Sequence, residues 1–462
     1  MTQSPTHPPT PLYSGATPEQ VAADLAPLLA FEEAPMPLEE VQTLVTQTLL
    51  PHLMRYDLPH FQSMFNAAPE PGALLGGRIA LETNQGVTNW QVSPGGAMLE
   101  ELCGRALCRL FGLNPGADAT FMYAGTYANQ QALYMALHRF GERAGVDLAQ
   151  EGVAGLPQPE KLAILISGDA HFSFRHAARM LGLGERSLIP LPVDRERRID
   201  LAASRRLLAE KHGDRAIVCV VGTSGTTSTG AIDPLDGLAD LAEESGAWFH
   251  VDGAYGYAYA LVPAWADRFA GAKRADSITW DPHKQMGVPI PNSVLFARDG
   301  RDFGRMALYS GYFNQKEVTE PNPGLKSPPS TRPLSALPLV TSIRARGLGG
   351  VVADLAGHLH AIQELADAID HLPDVERLHT PDTGILCFRI TPAHLSPAGV
   401  DELQPWLYQE TLRRGERTVS LTTLDGRPAL RLLAVSPQVT GPALIETVDY
   451  LRGLGGEQQF QK

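Results

Sequence analysis

Apolar residues fall along this chain in two rhythms. Short continuous runs, LAILIS (162–167), AIVCVV (216–221), WFHVD (248–252), SITW (277–280) and SVLFA (293–297), read as strands buried on both faces. Between them the spacing changes to threes and fours. In PLDGLADLAEESG, Leu235, Leu238, Ala239 and Ala242 share one helical face and Gly246 follows as a C-cap. In FMYAGTYANQQALYMALHRF a strand runs into a helix marked by Leu133, Ala136, Leu137 and Phe140. This alternation, from about residue 96 to 300, predicts an α/β domain with a largely parallel sheet.

The pattern breaks over 301–333, where Pro321, Pro323, Pro328, Pro329 and Pro333 interrupt it; a connection this long is more often a functional loop or linker than filler. An apolar helical stretch near 335–370 then leads into a second α/β unit with strand GILCFRI, helix ELQPWLYQETLRR, strand ALRLLAV and helix PALIETVDYLRGL. The expected organisation is a disordered arm over 1–15, rich in Pro and Thr, an N-terminal segment over 16–95, a large domain over 96–340 and a small C-terminal domain over 341–462. The sequence shows no internal repeat.

Composition narrows the class. With 462 residues, 44% of them hydrophobic, the chain can bury a large core without staples. Its four cysteines form no CxxC pair and have no histidine at zinc-ligand spacing, so no metal and no disulfide framework are expected, and a reducing cytoplasm is the default location. No apolar run approaches the roughly 18 residues of a membrane span, and the N-terminus lacks the basic start and apolar core of an export signal. A soluble protein without a membrane partner is expected. The formal net charge of −13 argues against a nucleic-acid partner, which would need phosphate-neutralising Lys and Arg.

Four motifs carry candidate chemistry, and each has an ordinary structural explanation when taken alone. Gly125 and Thr126 open a helix whose free N–H groups favour an anion; a ligand-free helix cap would look the same. VVGTSGTTSTG (220–230) follows a strand and offers glycines and hydroxyls, as a ligand loop or as a plain turn. WFHVDGAYG puts Asp252 at a strand's carboxyl end, where open α/β sheets bind ligands, although a metal or an arginine would equally satisfy a carboxylate. In ADSITWDPHKQ, His283 and Lys284 are expected at the end of another strand, one strand–helix–strand repeat after Asp252; a lone lysine there is usually a snorkelling surface residue.

Together and in this order the motifs meet the needs of one cofactor, pyridoxal 5′-phosphate, which requires an anion site, an amine for its aldehyde, a carboxylate for its ring nitrogen and a flat group over its ring. His171, just after LAILIS, is the candidate for that cover.

GDAHFSFRHAARMLGLG, LPVDRERRIDLAAS, GTSGTTSTGAIDPLDGLADLAEESGAWFHVDGAYG and ADSITWDPHK resemble the pyridoxal-dependent amino-acid decarboxylases of the aromatic-amino-acid and glutamate decarboxylase family, over roughly residues 50–455. The resemblance implies the fold type I architecture: a large α/β domain with a mostly parallel seven-stranded type of sheet, a smaller C-terminal α/β domain, and a homodimer with sites at the subunit interface to which 16–95 contribute. It implies Lys284 as the Schiff-base lysine, Asp252 as the pyridinium partner, and His171 as the stacking group. Gly125, Thr126 and His283 match the phosphate shell, Thr227 lies near the ring and Ala254 under its face. The segments around LPHFQSMF and NWQVSP nominate Phe61, Phe65 and Trp90 as pocket residues, and Arg431 aligns with an arginine that meets the substrate α-carboxylate in the glutamate-specific branch.

The implied reaction is decarboxylation of an L-amino acid to its amine and CO2, a carboxy-lyase activity, with Tyr312 of ALYSGYFNQKEV as the loop tyrosine that protonates Cα. Tyr309 and a register slip to Phe313 are the alternatives at that position, and family members lacking the tyrosine tend toward aldehyde-forming chemistry. An aminotransferase, an aldolase-type lyase, an aldehyde synthase or a non-catalytic scaffold remain the competing readings. Two departures from the family text stand out: Asp281 where asparagine is common before Pro-His-Lys, and Gln285 where an aromatic or apolar residue is frequent.

Overall fold

The computed structural model describes residues 11–311, 314 and 319–457, so residues 1–10 of the expected arm and Tyr312 lie outside the described residues. Two compact units emerge: a larger one of Pro69–Gly357 with His379–Thr383, and a smaller one of Met1–Ala68, His358–Leu378 and Gly384–Lys462.

The larger unit is built on seven strands, β1 (Asp118–Met122), β2 (Leu162–Ser167), β3 (Leu188–Leu191), β4 (Ala216–Thr223), β5 (Trp248–Asp252), β6 (Ser277–Trp280) and β7 (Ser293–Ala297). They lie in the order β1-β7-β6-β5-β4-β2-β3. All five apolar runs picked out by pattern are strands. β3 has too short and broken a pattern to read, and its Pro190 is tolerated because β3 lies at the sheet's edge.

Most of the sheet is parallel, as expected, and one reversed strand makes it mixed. β2, β3, β4, β5 and β6 pair in parallel, but β7 runs antiparallel to both β6 and β1. The physical reason lies in the link from β6 to β7: residues 281–292 contain no crossover helix, so the chain can only turn back on itself.

Helices α1 (Pro94–Leu110), α2 (Gly125–Ala144), α3 (Ser173–Met180) and α4 (Leu235–Ser245) flank this sheet. The expected apolar face of α2 packs into the core through Leu133, Ala136 and Leu137, together with Phe174 of α3 and Ile164 and Val221 of the sheet. α4 ends where the pattern placed its end, with Gly246 left-handed at φ 61°.

The link from β5 to β6 differs from expectation. It is a pair of 3-10 segments, Gly256–Leu261 and Pro263–Arg274, rather than an α-helix. The second passes so close to the start of α4 that a Cβ on Gly271 would lie 2.3 Å from the Asp236 nitrogen, which leaves no room for the wider α-helical cylinder.

Arg332 pins the proline-rich connection. Its guanidinium is buried and donates to the carbonyl of Pro323 and the hydroxyl of Ser327, both at 2.8 Å, to Thr120 Oγ1 at 2.9 Å and to the Phe121 carbonyl at 3.0 Å, and it pairs with the buried Glu100 of α1. These five bonds to one buried cation hold the stretch from Pro323 to Arg332 in place.

In the smaller unit, β8 (Val375–Arg377), β9 (Ile385–Ile390), β10 (Ser420–Leu424) and β11 (Arg427–Leu433) form an antiparallel sheet in the order β10-β11-β9-β8. Helices Pro397–Arg414 and Gly441–Glu457 bury Leu403, Leu407, Leu444, Val448 and Leu451 against Leu386, Phe388, Leu430 and Leu432. The pattern gave both helices and the two central strands; β8 and β10 are the edge strands that it did not. No helix among the described residues is long and apolar enough to cross a membrane.

Candidate active site

Asp252 is the last residue of β5, and its carboxylate is buried. Side chains alternate along a strand, so His250, two residues earlier, shares its face. Asn129 of α2 faces both. Asn129 Nδ2 donates to Asp252 Oδ2 and to Ser173 Oγ, each at 3.0 Å, while its Oδ1 accepts from Thr279 Oγ1 at 2.7 Å and lies 3.0 Å from His250 Nε2. Only a donor can face a carboxylate from so near, so the amide's orientation is set by Asp252. His250 Nε2 therefore carries the proton, and Nδ1 accepts from Ser277 Oγ at 2.8 Å; that hydroxyl in turn accepts from Trp248 Nε1 at 2.8 Å. Burial pushes the His250 imidazole down to about 4, against the pull of Asp252, so it is neutral at pH 7. The carboxylate is thus fixed from behind by an uncharged relay.

Lys284 does not end a strand as expected. β6 stops at Trp280, and Asp281–Gln285 form a turn closed by the Lys284 N–H on the Asp281 carbonyl at 3.0 Å. A turn suits the chemistry better, because it frees the amine from the pleat direction. Lys284 Nζ sits 3.3 Å from Asp281 Oδ2, and His283 Nε2 lies 3.6 Å from the same oxygen. Asp281 Oδ1 accepts from Ser293 Oγ at 2.5 Å.

This turn meets the N-terminus of α2. A Cβ on Gly125 would lie 2.8 and 3.0 Å from the two Asp281 oxygens and 3.2 Å from the Ala254 Cβ, so only glycine fits where turn, helix end and the Ala254 loop converge. Thr126 is in the first turn of the same helix, and Thr227 is half-buried in the turn after β4.

His171 joins the two halves. Its Nδ1 accepts the Ser173 N–H at 3.2 Å, and its ring lies 4.0 Å from that of Phe172. Burial lowers its pKa, Asp252 raises it, Lys284 lowers it and Asp281 raises it again.

The substrate-side candidates divide between the units. In the smaller one, Phe61 is buried against Tyr56 with ring centroids 4.6 Å apart. Arg431, on β11, is buried too; it donates to the Ser63 carbonyl and to Ser420 Oγ, both at 3.0 Å, and stands 5.4 Å from the Phe65 ring. In the larger unit Trp90 is 40% exposed, and its backbone N–H meets the Pro321 carbonyl at 3.0 Å. Tyr312 and Phe313 lie outside the described residues.

Sequence reasoning missed Asn129 and His250. His250 carried a readable signal, since a polar residue two before Asp252 in a buried strand must share its face. Asn129 carried none, because its meeting with Asp252 spans 123 residues. Among the described residues no group of three or more His, Cys, Asp or Glu is arranged to hold a metal, and all four cysteines are buried and in no disulfide.

A mixed α/β sheet with a buried carboxylate at one strand end, and an amine in the turn after the next strand beside an open helix end, is the arrangement expected of a pyridoxal-phosphate enzyme. The pyridoxal-dependent decarboxylase conserved domain matches residues 18–391, and the chain belongs to that family. It is 31% identical to L-2,4-diaminobutyrate decarboxylase of Rhizobium meliloti (strain 1021) over 424 residues, 89% of this chain and 82% of that protein. It is 28% identical to cysteine sulfinic acid decarboxylase of Mus musculus over 424 residues, 88% of this chain and 83% of that one. Among solved structures, the glutamate decarboxylase domain of diaminobutyrate-pyruvate transaminase and L-2,4-diaminobutyrate decarboxylase from Vibrio parahaemolyticus superposes with a TM-score of 0.85 at 26% identity, covering 97% of this chain and 92% of that one. The protein is therefore a pyridoxal-phosphate-dependent carboxy-lyase that decarboxylates an amino acid.

Proposed function

We propose that Lys284 holds the cofactor's aldehyde, Asp252 its ring nitrogen and His171 one face of its ring, with Ala254 and Thr227 at the ring and Gly125, Thr126 and His283 at its phosphate. The observation that carries this reading is that Ala254 bridges the two groups: its N–H donates to Asp252 Oδ1 at 3.2 Å, and its carbonyl accepts at 3.1 Å from the N–H of Asp281, whose carboxylate lies 3.3 Å from Lys284 Nζ. The donor set fits the group: a carboxylate can keep a ring nitrogen protonated, an amine can condense with an aldehyde, and a helix end with free N–H groups can take a phosphate.

Bound pyridoxal phosphate supplies a ring that accepts the electron pair left when the bond from Cα to the carboxylate breaks. Asp252 holds a proton at the ring nitrogen, a charge-assisted hydrogen bond worth about 1.5–3 kcal/mol before any gain in the transition state. Asn129 keeps that carboxylate aimed. Arg431, Phe65, Phe61 and Trp90 are the candidates for substrate recognition, and Tyr312 delivers the proton to Cα.

The substrate is an L-amino acid. The relatives named above act on cationic and acidic side chains, and L-2,4-diaminobutyrate is the first candidate because its decarboxylase shares 31% identity over 424 residues. We further propose a cytoplasmic homodimer. Exposed Leu308, Met180 and Tyr127 beside an apolar cleft of about 840 Å³ support a covered face, and four cysteines in no disulfide support a reducing compartment.

Purified enzyme given an amino-acid panel is expected to release CO2 and the matching amine, whereas stoichiometric ammonia or a keto acid would reject this assignment. Lys284→Ala is expected to lose the visible absorbance of the bound cofactor while staying folded; retention of that band would remove Lys284 from its role.

A further inference from the structure

Asp281 opens the turn that carries His283 and Lys284. Its carboxylate is buried, accepts from Ser293 Oγ at 2.5 Å and lies 3.3 Å from Lys284 Nζ and 3.6 Å from His283 Nε2. It also closes on the first residue of α2, where a Cβ on Gly125 would come within 3.0 Å of both its oxygens. A full negative charge therefore sits at the helix end that favours anions.

We propose that Asp281 acts as a resident counter-anion that holds the Lys284 amine in place and, in doing so, loosens the enzyme's grip on its phosphate-bearing cofactor. The inference rests on the roles proposed above for Lys284 and for the Gly125–Thr126 helix end. Two effects act in the same direction. A phosphate brought to that helix end meets a like charge in a poorly screened site. The Lys284 ammonium must also give up an ion pair when its amine is used. Asparagine would keep the shape and the bond to Ser293 but carry neither effect. The enzyme is thus built to exchange pyridoxal phosphate with its surroundings rather than to retain it.

The test compares wild type with Asp281→Asn, each prepared as holoenzyme. Pyridoxal phosphate loss on dilution is followed by the visible band, and rebinding by quenching of tryptophan fluorescence. Asp281→Asn is expected to bind pyridoxal phosphate at least tenfold more tightly and to release it more slowly, with a smaller gain for pyridoxal, which lacks the phosphate. Equal or weaker binding by Asp281→Asn would overturn the proposal. Should that variant not fold, Asp281→Ser removes the same charge and is likewise expected to bind pyridoxal phosphate more tightly; unchanged or weaker binding would overturn the proposal in the same way. Lys284→Ala in parallel separates the two levels. A band that survives in Lys284→Ala defeats the site assignment itself, whereas a lost band with unaltered affinity in Asp281→Asn defeats only the role of Asp281.

Discussion

Asn129 on α2 donates to the Asp252 carboxylate at the end of β5 at 3.0 Å, and the same amide accepts from Thr279 and His250. One side chain therefore joins a helix to two neighbouring strands at the carboxylate proposed to meet the cofactor's ring nitrogen.

Replacing it should be felt twice. Asn129→Ala leaves a buried carboxylate oxygen, two hydroxyls and an imidazole N–H without this partner, and is expected to cost about 1–3 kcal/mol of stability. It should also lower kcat by roughly tenfold or more, with a smaller change in KM, because the carboxylate's aim matters most in the transition state. Urea unfolding and steady-state kinetics check both; lost stability with unchanged kcat would reduce Asn129 to a packing residue.

His250 makes stability depend on pH. Its pKa falls from 6.5 to about 4 on folding, so the unfolded imidazole takes up a proton at a pH where the folded one stays neutral. The contribution is fully present above the unfolded value and is lost as pH drops toward the folded one. Between pH 7 and pH 5 this amounts to about 2 kcal/mol. Wild type is expected to lose that much more than His250→Asn over the same interval in urea titrations, and parallel losses would show that the imidazole is not held neutral.

Tyr312→Phe should slow amine release about 100-fold or more, the ordinary weight of a positioned general acid. Tyr309, half exposed, is expected to tolerate Phe with little change. If Tyr309→Phe is the damaging variant, the loop register is shifted and the proton comes from elsewhere.

Much of this was legible in the chain before any fold was known, because it depends on short-range physics. Continuous apolar runs give five of the seven sheet strands, i, i+3, i+4 spacing gives the buried faces of α2 and α4, and Gly246 stops α4 where a left-handed residue is needed. The four motifs were found for the same reason, each being a local arrangement of a strand end and a turn. Asp252, Lys284 and His171 were nominated without coordinates.

What only the tertiary structure decided is how those local pieces meet. The direction of β7 follows from a link without a crossover helix, the edge strands β3, β8 and β10 from pairing rather than pattern, and the turn under Lys284 from the place where β6 runs out. The bonds of Asn129 to Asp252 and the approach of Asp281 to Gly125 join residues far apart in sequence. Sequence periodicity reports which face a residue shows, but not which distant side chain stands opposite; that is fixed only when the register of β5 on β6 and the packing of α2 bring the groups within hydrogen-bonding reach.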